Sequence, residues 1–195
     1  MRLVLASRSP QRQAILRGLG VRFEVREPRF EEVEEGDPAL AALANARGKA
    51  RSVAREGDEI VLGVDTVVAL GGAIFGKPAD DAQARATLRA LSGATHLVLS
   101  GVALVGADGE RSALASTAVT FRALDEATID WYVATGEWRE RAGGYAIQGA
   151  GAALARSLAG DHTNVIGLPV ATLLDLWPEL CNNATSAADP LRLQH

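Results

Sequence analysis

Leu3-Val-Leu-Ala-Ser-Arg-Ser-Pro-Gln-Arg-Gln-Ala-Ile-Leu16 sets the reading of the whole chain. Leu3 to Ala6 is a short apolar run of the kind that forms a buried strand. Ser7-Arg8-Ser9 makes a polar elbow, and Pro10 opens a helical pattern. Ser9 suits the N-cap, where its hydroxyl can accept a bond from an unpaired amide of the first turn. Pro10 suits the first helical position, where a missing N–H costs nothing. Ile15, Leu16 and Leu19 give the helix an apolar face, and Gly18 and Gly20 end it. A strand turning sharply into a helix start gathers free amides, two serine hydroxyls, Arg8 and Arg12 about one point, which makes an anion site. The same stretch also reads as an ordinary strand–loop–helix with surface arginines.

Composition narrows the classes. The chain has 195 residues, 48% of them hydrophobic, enough to bury a real core. No apolar run approaches the ~18 residues of a membrane span, and Leu3 to Ala6 is too short for a signal peptide. The single cysteine, Cys181, gives no internal disulfide framework and fits a reducing cytoplasm. A net charge of −4 argues against nucleic acid as a partner, so any polyanion must be met in a locally positive pocket. A small phosphorylated molecule fits that requirement.

Along the chain, Val21 to Val25 predicts a strand, and the acidic residues Glu27, Glu31, Glu32, Glu34, Glu35 and Asp37 a largely solvated loop. Alanine-rich Pro38 to Arg55 predicts a helix capped by Asp37, with Lys49 and Arg51 in its second half. Ile60 to Val64 predicts a strand ending at Asp65-Thr66. Val67 to Leu70 and Ala73 to Phe75 predict the arms of a hairpin turned at Gly71-Gly72. A helix is expected over Asp80 to Leu91, closed by Ser92-Gly93. His96 to Val105 and Arg111 to Phe121 predict long strands joined at Ala107-Asp-Gly-Glu110. A helix from Asp125 or Glu126 to Thr135 would put Ile129, Trp131 and Tyr132 in the core. A glycine-rich stretch, a loop over Gly160 to Gly167 and a last helix, Leu168 to Leu180, complete one domain over residues 1–181. The polar tail from Asn182 is expected to be disordered. Helices interleaved with strands, plus two hairpins, indicate α/β with a mixed sheet.

Two nucleotide motifs fail on inspection. Gly71 to Lys77 has the spacing of a P-loop, but Pro78 stands where a metal-binding hydroxyl is required. Gly149-Ala-Gly151 lacks the third glycine and the acidic partner of a dinucleotide fingerprint. His96, His162 and His195 lack zinc-site spacing. What remains is scattered. Asp65, at the expected end of an apolar strand, could hold a cation or take a proton, or could merely cap a turn. Lys77 is fixed between Gly76 and Pro78, and Lys49 alone reads as a surface helix charge. Together the set makes chemical sense. One or two carboxylates can hold Mg²⁺ and leave room for water and phosphates. Arg12, Lys49 and Lys77 can then neutralise a polyphosphate while an acid orients water for attack at phosphorus.

These residues resemble the Maf family of nucleotide pyrophosphatases, also described as septum-formation inhibitors. The resemblance runs from about Leu3 to Leu176 and rests on Leu5-Ala-Ser-Arg-Ser-Pro-Gln-Arg12, Glu31-Glu32, Lys49-Ala50, Gly63-Val-Asp-Thr-Val-Val68, Gly76-Lys-Pro78 and Ser92-Gly93. It continues through Ala142-Gly-Gly-Tyr-Ala-Ile-Gln-Gly149, Gly160-Asp161 and Val165-Ile-Gly-Leu-Pro169. It implies an inosine triphosphatase-like fold, a twisted mixed β-sheet with flanking helices in two lobes around a cleft. It implies metal-dependent cleavage of a nucleoside triphosphate between the α- and β-phosphates, with Mg²⁺, Mn²⁺ or Co²⁺ as cofactor. By position, Asp65 would be the proton acceptor, Glu32 would join it in holding the metal, and Ser7, Arg12, Lys49 and Lys77 would meet phosphate. The family is usually cytoplasmic and often dimeric.

Base choice rests on three positions. Thr66, and Gln148 with Tyr145, match the dTTP/UTP branch of the family, whereas Gln11 matches neither that branch nor the 7-methyl-GTP branch. A glutamine amide both donates and accepts, so it can pair with a pyrimidine edge, but it lacks arginine's charge. The resemblance therefore implies a dTTP/UTP pyrophosphatase. The alternatives are a 7-methyl-GTP pyrophosphatase and a nucleotide-binding regulator of division with little turnover.

Overall fold

β3 (Glu59–Leu70) is the axis of the molecule. The computed structural model describes residues 1–181, so the expected disorder after Asn182 lies outside the described residues. Around β3 the chain lays down β1 (Arg2–Leu5), α1 (Pro10–Gly18), β2 (Phe23–Val25), α2 (Pro38–Ser52), β4 (Ala73–Phe75) and α3 (Asp81–Leu91). The long hairpin β5 (Thr95–Gly106) and β6 (Gly109–Phe121) follows, then α4 (Glu126–Ala134), β7 (Ala155–Ala159), α5 (His162–Ile166) and α6 (Val170–Leu176). The sheet is mixed and seven-stranded, in the order β2-β1-β3-β5-β6-β7, with β4 paired to β3.

One edge of β3 is shared by two short strands. β1 runs parallel to it and pairs over Glu59 to Leu62, while β4 runs antiparallel and pairs over Val68 to Leu70. β5 pairs along the opposite edge from Val61 to Ala69. Both short strands point toward each other and stop, leaving a notch beside Gly63 to Val67. The expected strand end at Asp65 is therefore corrected: Asp65 is mid-strand, because the β-branched Thr66, Val67 and Val68 carry the pairing with β5 onward. It is the neighbouring strands that end there.

Strand alternation sorts β3 onto two faces. Val61, Gly63, Asp65 and Val67 face α2, beneath which Ala42, Ala46, Ala50, Val53 and Ala103 are buried. The other face carries two apolar cores. One joins Leu62, Val64, Val102 and Leu104 to Leu16, Leu168, Leu173 and Trp177. The second joins Val68, Val98, Val119 and Phe121 to residues of α3, α4 and the glycine-rich segment. Thr66 and Ser100, register partners, lie between these cores.

Local signals place most elements. Ser9, Asp37, Asp80 and Asp125 cap their helices through side-chain oxygens. Trp131 departs from its expected core position and is 49% exposed, because Ile129, Tyr132 and Val133 form the buried stripe of α4. The expected last helix breaks after Leu176, where Trp177 precedes Pro178 and leaves the helical region. α5 lies within the expected loop over Gly160 to Gly167, and β7 in a stretch between the glycine-rich segment and that loop where no element is expected. No helix among the described residues is long and apolar enough to cross a membrane.

Candidate active site

Asp65 meets α2 because the sheet has no side chain in the way. A Cβ at Gly63 would overlap the Ala46 carbonyl oxygen, and one at Gly101, the register partner of Asp65, would overlap that of Ala42. The helix thus lies with its backbone against the sheet, and Asn45 and Lys49, one turn apart, both reach the carboxylate. Lys49 Nζ lies 2.5 Å from Asp65 Oδ1, and Asn45 Nδ2 donates to Asp65 Oδ2 at 3.0 Å. Lys49 Nζ also pairs with Glu32 Oε1 at 2.8 Å. Asn45, Lys49 and Asp65 are buried, whereas Glu32 is exposed. Lys49 is thereby not the surface charge its position on a helix suggested.

Glu32 arrives on a strap, not a free loop. Residues 29–33 run along α2: the Arg29 N–H donates to Ser52 Oγ at 3.1 Å, and the Phe30 ring fills the space a Gly48 side chain would need. The Val33 N–H donates to Asn45 Oδ1 at 2.8 Å.

Thr66 points the other way, into a polar belt. Its Oγ1 is 2.8 Å from Ser100 Oγ and receives Arg12 Nη2 at 3.4 Å. Arg12 also donates from Nη1 to Ser7 Oγ at 3.0 Å and from Nε to the Gly167 carbonyl at 2.8 Å. Burial pulls the Arg12 pKa down, and the negative charges of Asp65 and Glu32 oppose that pull. Gln11 joins this group through Ser9, whose hydroxyl donates to Gln11 Oε1 at 3.2 Å. Arg8 leaves the expected anion site and pairs with Glu27 at 3.3 Å on the surface, so Arg12 is the arginine that faces inward.

Lys77 follows β4, on the far side of the notch. The Gly76 carbonyl accepts from the Gly143 N–H at 3.0 Å, and Lys77 Nζ meets the exposed Glu140 at 3.2 Å. Gly143 and Gly144 have φ of 67° and 65°, and side chains there would press on Val68 and Pro78. Two glycines are therefore required to lock the glycine-rich segment against the Lys77 loop. Gln148 is exposed in that segment. The structure thus gathers Glu32, Lys49 and Asp65 into one group and Ser7, Gln11, Arg12 and Thr66 into another, with Lys77 and Gln148 in neither.

The donor set suits a hard divalent cation completed by substrate. Glu32 and Asp65 already converge on one cationic position, held here by the Lys49 ammonium. Among the described residues no group of three or more His, Cys, Asp or Glu side chains converges, so a cation at this position would need phosphate oxygens and water for its remaining ligands.

The family model described as Maf-like protein matches residues 2–180. The chain belongs to the Maf family. Among its Maf relatives is a dTTP/UTP pyrophosphatase of Deinococcus radiodurans, 47% identical over 177 residues, covering 90% of this chain and 91% of that protein. A protein of the same name from Anaeromyxobacter sp. is 50% identical, covering 90% and 87% of the two chains. Another, from Pyrococcus furiosus, is 38% identical, covering 90% and 93%.

Two residues of this Maf site escape a reading of sequence alone. Asn45 stands four residues before Lys49 in an alanine-rich helix, so helical spacing from Lys49 was the available signal. Ser100 pairs with Thr66 only through the register of β3 and β5, and no local pattern marks it.

Proposed function

We propose that this Maf protein hydrolyses dTTP and UTP, or related modified pyrimidine nucleotides, to the monophosphate and pyrophosphate. The observation that carries the reading is the Asp65 carboxylate at the notch, fixed by Lys49 and Asn45 and sharing an ammonium with Glu32. Asp65 accepts a proton from water as the water oxygen bonds to the α-phosphorus. The bond from that phosphorus to the bridging oxygen breaks, and pyrophosphate leaves. Lys49, Arg12 and Ser7 face the phosphates, and Lys77 turns in from the rim to meet the leaving group. A divalent cation held by Glu32 and Asp65 would supply further charge neutralisation. Thr66, Gln11 and Gln148 read the base. The two cores act as the lobes of one catalytic domain in a cytoplasmic homodimer; light scattering in solution tests the dimer.

The deciding experiment is pyrophosphate release from dTTP, UTP, CTP, 7-methyl-GTP and the standard purine triphosphates, with Mg²⁺ or Mn²⁺. Release chiefly from dTTP and UTP is expected. Release chiefly from 7-methyl-GTP would keep the chemistry and overturn the base choice. Tight nucleotide binding without release would favour a regulator.

A further inference from the structure

Asn45 spends its whole amide on two partners. Its Nδ2 donates to the Val33 carbonyl and to Asp65 Oδ2, both at 3.0 Å, and its Oδ1 accepts from the Val33 N–H at 2.8 Å. Its residue is 1% exposed. The paired bonds to the Val33 backbone act like a rung of a sheet and set the register of the strap. Glu32, the preceding residue, then falls opposite Lys49. The third bond does something Lys49 cannot do alone. Lys49 holds Oδ1, but a carboxylate gripped at one oxygen can still rotate, and Asn45 at Oδ2 fixes its plane.

The strap has few other holds. Ser52, Gly48 and Asn45 lie on one stripe of α2, four and then three residues apart; Ser52 and Gly48 each take one contact from residues 29–33, and Asn45 makes two bonds with Val33. Asn45 is the end of that stripe and the one position that also touches the reacting carboxylate. Phe30 packs over Gly48 yet stays 39% exposed, and Val33 is 45% exposed, so side-chain burial seats the strap only in part.

We propose that Asn45 is the positioning residue that ties the acidic strap to Asp65, so that seating Glu32 and orienting the Asp65 carboxylate are one event. The proposal rests on the pyrophosphatase reading. Two variants separate its halves. Asn45→Leu keeps approximate shape and loses every bond. Asn45→Asp keeps an acceptor for the Val33 N–H, loses both donated bonds and places like charge beside Asp65.

With dTTP as substrate, both variants should lower kcat by about 10–100-fold, the range seen when groups supporting a reactive ligand are removed. KM should move less than about threefold, because the phosphate-facing residues are untouched. In nucleotide-free protein, amide exchange at Val33 should accelerate at least about tenfold in Asn45→Leu and much less in Asn45→Asp. If kcat stays within about twofold of the unmodified protein in Asn45→Asp, or if KM rises while kcat holds, the proposal is overturned. A fast-exchanging Val33 amide in the unmodified protein overturns it without any variant. If the unmodified protein released no pyrophosphate, the functional reading would fail instead, and Val33 exchange would still judge the tie between strap and helix.

Discussion

Asp65 and Thr66 are neighbours in one strand, yet they belong to two differently built sites. The Asp65 side is assembled from a single helix, since Asn45 and Lys49 are a turn apart and the strap lies along the same stripe. The Thr66 side is assembled from distant pieces: Ser7 after β1, Arg12 in α1, Ser100 in β5 and the Gly167 carbonyl after α5. The first is charged and depends on how one helix seats against the sheet. The second is mostly neutral hydroxyls closed by one arginine, and depends on the tertiary fold as a whole. A strand that alternates faces thus keeps a charged group and a hydroxyl–arginine group one residue apart without either set competing for the same donors.

The comparison breaks most sharply at Lys49. Lys49→Met removes the cation between two carboxylates, and kcat for pyrophosphate release should fall about 10²–10³-fold. A rate near that of the unmodified protein would show that the charged face does not carry the reaction.

On the Thr66 face the largest effect is on stability. His96 lies in the core beyond the belt, fully buried, with Nε2 2.8 Å from the Tyr145 hydroxyl. Burial pushes its pKa down to about 4. Between an unfolded pKa near 6.5 and that value, the unfolded chain binds a proton that the folded chain refuses. Stability is therefore full above about pH 6.5 and falls by up to about 3 kcal/mol as pH drops through 4. Glu59, held down to about 2 chiefly by its bonds from Arg26, loses its contribution lower, below its unfolded value of 4.5. Urea unfolding from pH 7 to pH 4 should show the slope, and His96→Leu should flatten it. An unchanged slope would place its origin elsewhere.

Smaller still is the effect of lifting α2. Gly63→Ala sets a methyl group against the Ala46 carbonyl and should cost about 1–3 kcal/mol in chemical denaturation, with kcat falling alongside. The smallest change is expected for Thr66→Val. It removes the Ser100 and Arg12 contacts and should alter kcat less than about tenfold, while shifting the ratio of kcat/KM between dTTP and 7-methyl-GTP. A larger kcat loss there than at Lys49 would reverse the assignment of the two faces.

What sequence could show follows the same division. Caps and turns are local, so Ser9-Pro10, Asp37-Pro38, Asp80 and the hairpin after Gly106 were legible. Glycines at Gly63 and Gly143-Gly144 appeared as parts of motifs, and the structure supplies their reason: close approach of α2 and of the Lys77 loop. The continuity of β3 through Asp65 was not legible, because an isolated carboxylate looks like a strand end when the pairing partner is 36 residues away, as Gly101 is. β7 is illegible for a related reason, being a short edge strand of mixed exposure paired only to β6 across an irregular register. Asn45 carries no local signal, because its partners, Val33 and Asp65, lie on separate elements.

The most direct test is Asp65→Asn, assayed for pyrophosphate release from dTTP and, separately, for dTTP binding. The substitution keeps the shape of the side chain and removes its capacity to take a proton. A fall in kcat of about 10²–10⁴-fold with nucleotide still bound is the predicted result. Release at the rate of the unmodified protein would contradict the assignment of Asp65 as the proton acceptor.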